Sequence, residues 1–197
     1  MFGLFSFGKK KSPVAEGKRL NLRPVAARDY RVLLTWFQDI ELMEYAFGLT
    51  VEHDVINRIA MEYYHDLMTS PHNAYSIETK GGLLIGFIRF TVRTEGDHYG
   101  RIGILIGERN FWGKGYGTEA LKLALEVLFT EKKLGYIELD TAQFNSRAQR
   151  CFEKCGFRKM GELTEVNFLT GEVAHKVWMK ITREEFYAPR SGDLKAP

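Results

Sequence analysis

The sequence predicts an α/β fold, a mixed sheet carried with helices in one domain. Three observations lead there. Segments with the two-residue period of strands take turns along the chain with segments whose apolar residues recur at helical spacing. Lys80-Gly81-Gly82 joins two strand-like runs as a hairpin turn. A single glycine-rich loop, Gly113 to Gly117, lies between a strand-like run and a helical stripe. A chain of 197 residues is long enough for one full core and too short for two ordinary ones. Its 45% hydrophobic and 27% charged residues are those of a globular protein, and a net charge of +3 gives no reason to expect a nucleic-acid partner. No apolar run is long enough to span a bilayer. The chain therefore reads as cytoplasmic.

Taken in order, Leu20 to Arg23 is a short strand ahead of Pro24. From Tyr30, Leu33, Leu34 and Phe37 recur on one helical face. A second helix follows with Thr50 as N-cap and a stripe of Val55, Ile56, Ile59, Tyr63 and Leu67. Tyr75 to Thr79 and Leu83 to Arg93 are strands, and so is Tyr99 to Ile106. A helix from about Thr118 to Lys132 carries Leu121, Ala124, Leu125, Leu128 and Phe129 on one side. Tyr136 to Thr141 is a strand, and Ser146 to Cys155 a helix stopped by Gly156. Phe157 onward and Val173 to Ile181 form a last hairpin around Thr170-Gly171. The ordered domain is expected over residues 18–186, between tails at 1–17 and 187–197.

The chemistry concentrates in Trp112-Gly113-Lys114-Gly115-Tyr116-Gly117-Thr118. Alternating glycines between a strand and a helix let backbone come close to a ligand, and the free N–H groups of the helix start then point at one spot. Such a place suits a phosphate or pyrophosphate. Gly115-x-Gly117-x-x-Ala120 also fits a dinucleotide fingerprint, with Glu138 or Asp140 about twenty residues on. That rival wants its fingerprint at the start of successive βαβ units, whereas here helices and hairpin strands precede it. A P-loop fails because no Gly-Lys-Ser/Thr closes the motif.

The run Trp112-Gly113-Lys114-Gly115-Tyr116-Gly117-Thr118-Glu119-Ala120-Leu121 resembles the glycine loop of the GNAT acetyltransferases, in the form seen in RimJ/RimL-type members. A second segment is similar at the right distance: Asn145-Ser146-Arg147-Ala148, then Phe152-Glu153-Lys154-Cys155-Gly156-Phe157. Leu22-Arg23-Pro24 with Asp29 and Trp36, and the closing Gly161 to Gly171 hairpin, resemble that subgroup too, so that the likeness runs from about Arg19 to Ile181. The resemblance implies a mixed, mostly antiparallel sheet flanked by helices, with a splayed central strand pair, and acetyl-CoA as cosubstrate without a metal. It implies that Ile104, Leu105 and Ile106 pair their backbone with the pantetheine arm. It implies that Trp112, Gly113, Lys114, Gly115, Tyr116, Gly117 and Thr118 surround the pyrophosphate, that Asn145 and Phe152 border the arm, and that Lys154 approaches the adenosine phosphate.

Catalytic residues are not named by the resemblance. Many relatives place a Glu early in the fourth strand, and that position is Arg101; a Tyr in the second segment is here Phe152, and Ala148 stands where some members have Ser. A backbone N–H near Leu105 or Ile106 is the natural oxyanion donor. The acceptor is expected to be an amine, on a small molecule or a peptide N-terminus. A catalytically silent acyl-CoA-binding module and a nucleotide-dependent oxidoreductase are the alternatives from other classes. Cys151 and Cys155 have no Cys or His at ligand spacing and read as thiols rather than zinc ligands. Asp39, Glu41 and Glu44 border the expected acceptor pocket, as a solvated helix end or as an attractor of cations. At the N-terminus Phe2, Leu4, Phe5 and Phe7 precede Lys9 to Lys11, as a loose tail or a weak membrane-surface foot. Nothing fixes a monomer over a homodimer.

Overall fold

The computed structural model describes residues 13–48, 57–58, 61–62, 65–67, 69–70, 73–93, 98–166, 171 and 173–188. Among the described residues eight strands form one sheet: β1 (Ala15–Glu16), β2 (Leu20–Pro24), β3 (Ala74–Thr79), β4 (Leu84–Arg93), β5 (Tyr99–Ile106), β6 (Tyr136–Ala142), β7 (Arg158–Val166) and β8 (Val173–Thr182). Their order across the sheet is β1-β2-β3-β4-β5-β6-β8-β7. All neighbours are antiparallel except β5 and β6, which are parallel because the connection between them is a helical crossover rather than a hairpin. The β3–β4 turn closes on Gly82 at φ +86°, as the Lys80-Gly81-Gly82 signal requires.

Helices with bounds among the described residues are α1 (Tyr30–Phe37), α2 (Ile40–Phe47), α3 (Tyr116–Glu131), α4 (Ser146–Cys155) and α5 (Arg183–Tyr187). On one face α3 buries Leu121, Ala124, Leu125 and Leu128 completely, against Ile102, Ile137, Leu139 and the β8 residues Val177 and Met179. On the other, α1 and α2 bury Leu33, Trp36, Phe37, Leu42 and Met43 over Phe87 and Ala174. Trp36 lies so close on Gly107 that a Cβ there would fall 2.1 Å from the indole. That contact locks α1 over the exit of β5.

Helix α2 is where sequence and structure part. Asp39 caps it, accepting from the Leu42 N–H at 3.2 Å, and Gly48 ends it in the left-handed region at φ 76°. Asp39 and Glu41 also hold Arg109 at 2.8 Å each, so these acids are a capped, paired helix start rather than free charges. The expected cap Thr50, with Val55, Ile56, Ile59 and Tyr63, lies outside the described residues; Asn57, Arg58, Met61, Glu62, His65 to Leu67 and Thr69 are helical, with Leu67 buried. Ala15–Glu16 pairs with β2 as a short first strand inside the segment expected as tail. The apolar-basic residues 1–11 lie outside the described residues.

Candidate active site

Strands β5 and β6 pair only at Tyr99↔Tyr136, Gly100↔Ile137 and Arg101↔Glu138. Beyond these the two strands diverge, while β4 continues to pair with β5 through Ile106 and β8 with β6 through Ala142. From Ile102 to Ile106 the β6-facing edge of β5 has no strand partner among the described residues. An extended ligand can pair with such an edge as an added strand would. The opening leads into a cavity of about 700 Å³, within the range of small-molecule and cofactor sites. Ile104 to Ile106, Trp112, Gly113, Gly115, Gly117, Thr118, Asn145 and Phe152 all line it.

At its floor the loop after β5 turns into α3 through Gly113 at φ +70° and Gly115 at φ +81°. Only glycine adopts these values without strain, and the turn leaves the first N–H groups of a 16-residue helix directed at the cavity. Two of the loop residues expected at the cofactor lie outside the cavity lining. Lys114 is exposed, and the Tyr116 ring packs beneath the guanidinium of Arg19, 4.3 Å from Cζ to the ring centroid. The glycines admit the ligand on the inner side, and alternation turns the side chains between them outward.

Arg19 is a residue the sequence reading passed over. Its N–H and its Nε each donate to the Glu119 carboxylate at 2.7 Å, and its Nη1 donates to the Lys114 carbonyl at 2.8 Å. A Cβ on Gly115 would meet Arg19 Nη2 at 3.3 Å. The guanidinium therefore braces the back of the loop and draws a loop carbonyl away from the anion side. Burial alone would raise the Glu119 carboxyl, but the bonds from Arg19 outweigh it and hold the group below its ordinary range. No periodicity marks Arg19, because its partners are 95 and 100 residues away.

The wall is aromatic and cationic. Trp112 donates its indole N–H to the Ile106 carbonyl at 2.6 Å and so ties the loop to the end of β5. The Arg147 guanidinium lies 3.6 Å over the Trp112 ring and 5.0 Å from that of Tyr45. Burial pushes this guanidinium down, opposed by Tyr45 and Glu41. Asn145 is buried, caps α4 by accepting from the Ala148 N–H at 3.1 Å, and donates to the Tyr45 carbonyl at 3.2 Å. One amide hydrogen and one lone pair remain for a ligand. Phe152 packs on Phe157 with ring centroids 6.1 Å apart, so it serves the core as well as the cavity wall. Cys151 sits at the loop end, its Sγ 3.3 Å from Thr118 Oγ1 and 3.5 Å from where a Gly117 Cβ would stand. The Cys155 thiol, then Thr118 and Lys154, pull the Cys151 thiol down to about 7 against the effect of burial.

A parallel pair splayed over a glycine loop at a helix start, with an unpaired strand edge beside it, is built for a long ligand with a pyrophosphate at one end and an extended arm. Residues 19–158 match the acetyltransferase (GNAT) domain, and the chain belongs to that family of acetyl-CoA-dependent acetyltransferases. It is 25% identical over 182 residues to the aminoglycoside N(6′)-acetyltransferase type 1 of Klebsiella pneumoniae, covering 87% of each chain. Its fold superposes on spermidine N-acetyltransferase from Vibrio cholerae in complex with CoA and spermine, with TM-score 0.70, 24% identity and coverage of 86% of this chain and 98% of the other. Mycobacterium smegmatis RimJ in complex with CoA-disulfide gives TM-score 0.71, 22% identity and coverage of 89% and 87%. Among the described residues no group of His, Cys, Asp and Glu is placed to hold a metal ion.

Proposed function

We propose that the chain transfers an acetyl group from acetyl-CoA to a primary amine, on a small molecule or a peptide N-terminus, by direct attack in a ternary complex. The observation that carries this reading is the cavity running from the glycine loop into the splay, where Cys151 is the one lining thiol among the described residues and sits at the loop end. Acetyl-CoA, when bound, supplies a thioester carbonyl open to attack by a neutral amine. The N–H groups at the start of α3 receive the pyrophosphate, the free edge of β5 pairs with the arm, and Asn145 has a donor and an acceptor to spare beside it. A β5 N–H near Leu105 or Ile106 polarises the carbonyl. Positioning of this kind can contribute on the order of 7 kcal/mol or more. The relatives whose names give a substrate act on amines, aminoglycosides and spermidine among them, which supports an amine acceptor.

Cys151 is the conceivable covalent nucleophile, but it lies against Gly117 and Thr118, where the pyrophosphate end would cover it. With the RimJ/RimL-type likeness go a cytoplasmic location and a monomer or homodimer, with residues 1–11 as a loose tail or a weak foot on anionic membranes. Initial rates at varied acetyl-CoA and amine test the mechanism. Intersecting lines are expected, with Cys151→Ala within a few fold of wild type and a rate that climbs with pH toward the amine's own pKa. Parallel lines together with an inactive Cys151→Ala protein would put the cysteine at the centre instead.

A further inference from the structure

One carboxylate lines the cavity among the described residues, that of Asp140 on β6. It stands just where β5 and β6 part. The last pair is Arg101↔Glu138, and two residues further along each strand come Gly103 and Asp140. The strand alternation puts Arg101 and Gly103 on one face of β5, away from Ile102 and Ile104, which pack on the α3 side. Gly103 is exposed, and a Cβ built on it would meet nothing within 4 Å. Arg89 and Thr91 of β4 lie across from Gly103 and Arg101. The result is a niche floored by Gly103 and bordered by Arg89, Thr91 and Asp140. It adjoins the β5 edge expected to hold the reacting end of the cofactor arm. Arg89 is itself engaged by Asp66 at 2.5 Å.

The two oxygens of Asp140 are held differently. Lys176 Nζ is 3.2 Å from Oδ2 and 2.7 Å from Glu165, and its side chain is only 16% exposed. It fixes the direction of the carboxylate from the β8 side. Arg101 Nη2 donates to Oδ1 from across the splay, and its side chain is 49% exposed, with Nε 3.6 Å from Glu138. Exposed ion pairs of this kind contribute little and are readily exchanged. The face of the niche that opens toward the splay is therefore a carboxylate oxygen, aimed by a partly buried lysine and covered by a half-exposed guanidinium.

We propose that Asp140 is the docking group for an ammonium of the acceptor other than the neutral amine that attacks the thioester, and that Arg101 is an internal surrogate for that ammonium which the acceptor displaces. The inference rests on the acetyl-transfer reading and deepens it by naming the acceptor as a cation and the residue that receives it.

Spermidine titrated calorimetrically into CoA-saturated wild type, Asp140→Asn and Arg101→Gln tests the inference, with acetyl-CoA binding measured on each protein as the control for an intact fold. Asp140→Asn should weaken spermidine by about tenfold or more, the scale of a lost charge contact. Arg101→Gln should tighten it several-fold, since the competitor is gone. Acetyl-CoA affinity should be unchanged in both. Unchanged spermidine binding by Asp140→Asn, weaker binding by Arg101→Gln, or no binding by the wild type would overturn the docking assignment. Spermidine binding that depends on Asp140, without turnover of any amine, would instead overturn the acetyl-transfer reading and leave the docking site standing.

Discussion

Cys151 shows how a single side chain takes its character from the loop it faces. Its sulfur lies beside the first turn of α3, at Gly117 and Thr118, where the helix start favours negative charge. With the Cys155 thiol, Thr118 and Lys154 drawing its pKa down to about 7, alkylation by iodoacetamide should rise with a midpoint near that value, since the thiolate is the reacting form. Saturating CoA should slow it strongly. A midpoint at the ordinary thiol value of about 8.5, or no protection by CoA, would separate the thiol from the loop. Arg19 is the second test at this scale. Arg19→Ala removes the brace of Lys114 and leaves the Glu119 carboxylate with backbone donors but without its cationic partner in the first turn, where its charge opposes a bound anion. Affinity for acetyl-CoA should fall roughly tenfold, about 1.4 kcal/mol, with turnover at saturation little changed and partial recovery in Arg19→Lys. A change in turnover alone would mean the brace does not shape the cofactor loop.

At the scale of elements, the resemblance named the splayed pair, and the pattern of the sequence named β3 to β6, α1, α3 and α4 to within a few residues. These carry long apolar stripes or a clear cap and stop. Helix α2 is not legible as a separate helix because Asp39, Glu41 and Glu44 read as the solvated end of α1 or as an attractor of cations, although Asp39 three residues before Leu42 is the spacing of a cap. Arg19 and Asp140 were illegible as a loop brace and a niche carboxylate because both roles depend on partners distant in sequence. The same holds for the anchor that joins β2, the start of α1 and β3. Arg23 donates to Asp29 at 2.6 Å and 2.8 Å and to Glu78 at 2.7 Å, and Ser76 and the Ala26 N–H complete the Asp29 carboxylate. Burial alone would raise that carboxyl, but the Arg23 bond and the two other donors hold it below its ordinary range. A depressed folded value means stability that is present above the unfolded pKa of about 3.9 and lost as pH falls through the folded one. Asp29→Asn leaves buried Arg23 with Glu78 as its remaining carboxylate and removes the charge from its other contact, which should cost about 1.5–3 kcal/mol in urea unfolding near pH 7, with the gap to wild type closing in acid below about pH 4. A cost under about 1 kcal/mol, as for an exposed pair, would mean that this network does not anchor β2 to the sheet.

For the molecule as a whole, two cores on opposite faces of one sheet leave a single strand pair free to part, and the cavity occupies that parting. The α3–α4 side carries the glycine loop, while the α1–α2 side closes over Gly107 through Trp36. The glycine loop and the niche at Asp140 thus line one space. The central claim is that the pyrophosphate of acetyl-CoA lies on the loop at the start of α3. Gly117 is the place to challenge it: the residue lines the cavity, and an added Cβ would make only ordinary contacts, 3.5 Å to Cys151 Sγ and 3.7 Å to Ile106. Gly117→Asp should therefore fold, yet set a carboxylate among the N–H groups meant for phosphate. Calorimetric titration of acetyl-CoA into the two folded proteins decides the matter. The account predicts one-site binding by wild type and a loss on the order of 100-fold, about 2.8 kcal/mol, in the variant; equal affinity in a folded Gly117→Asp protein would contradict it.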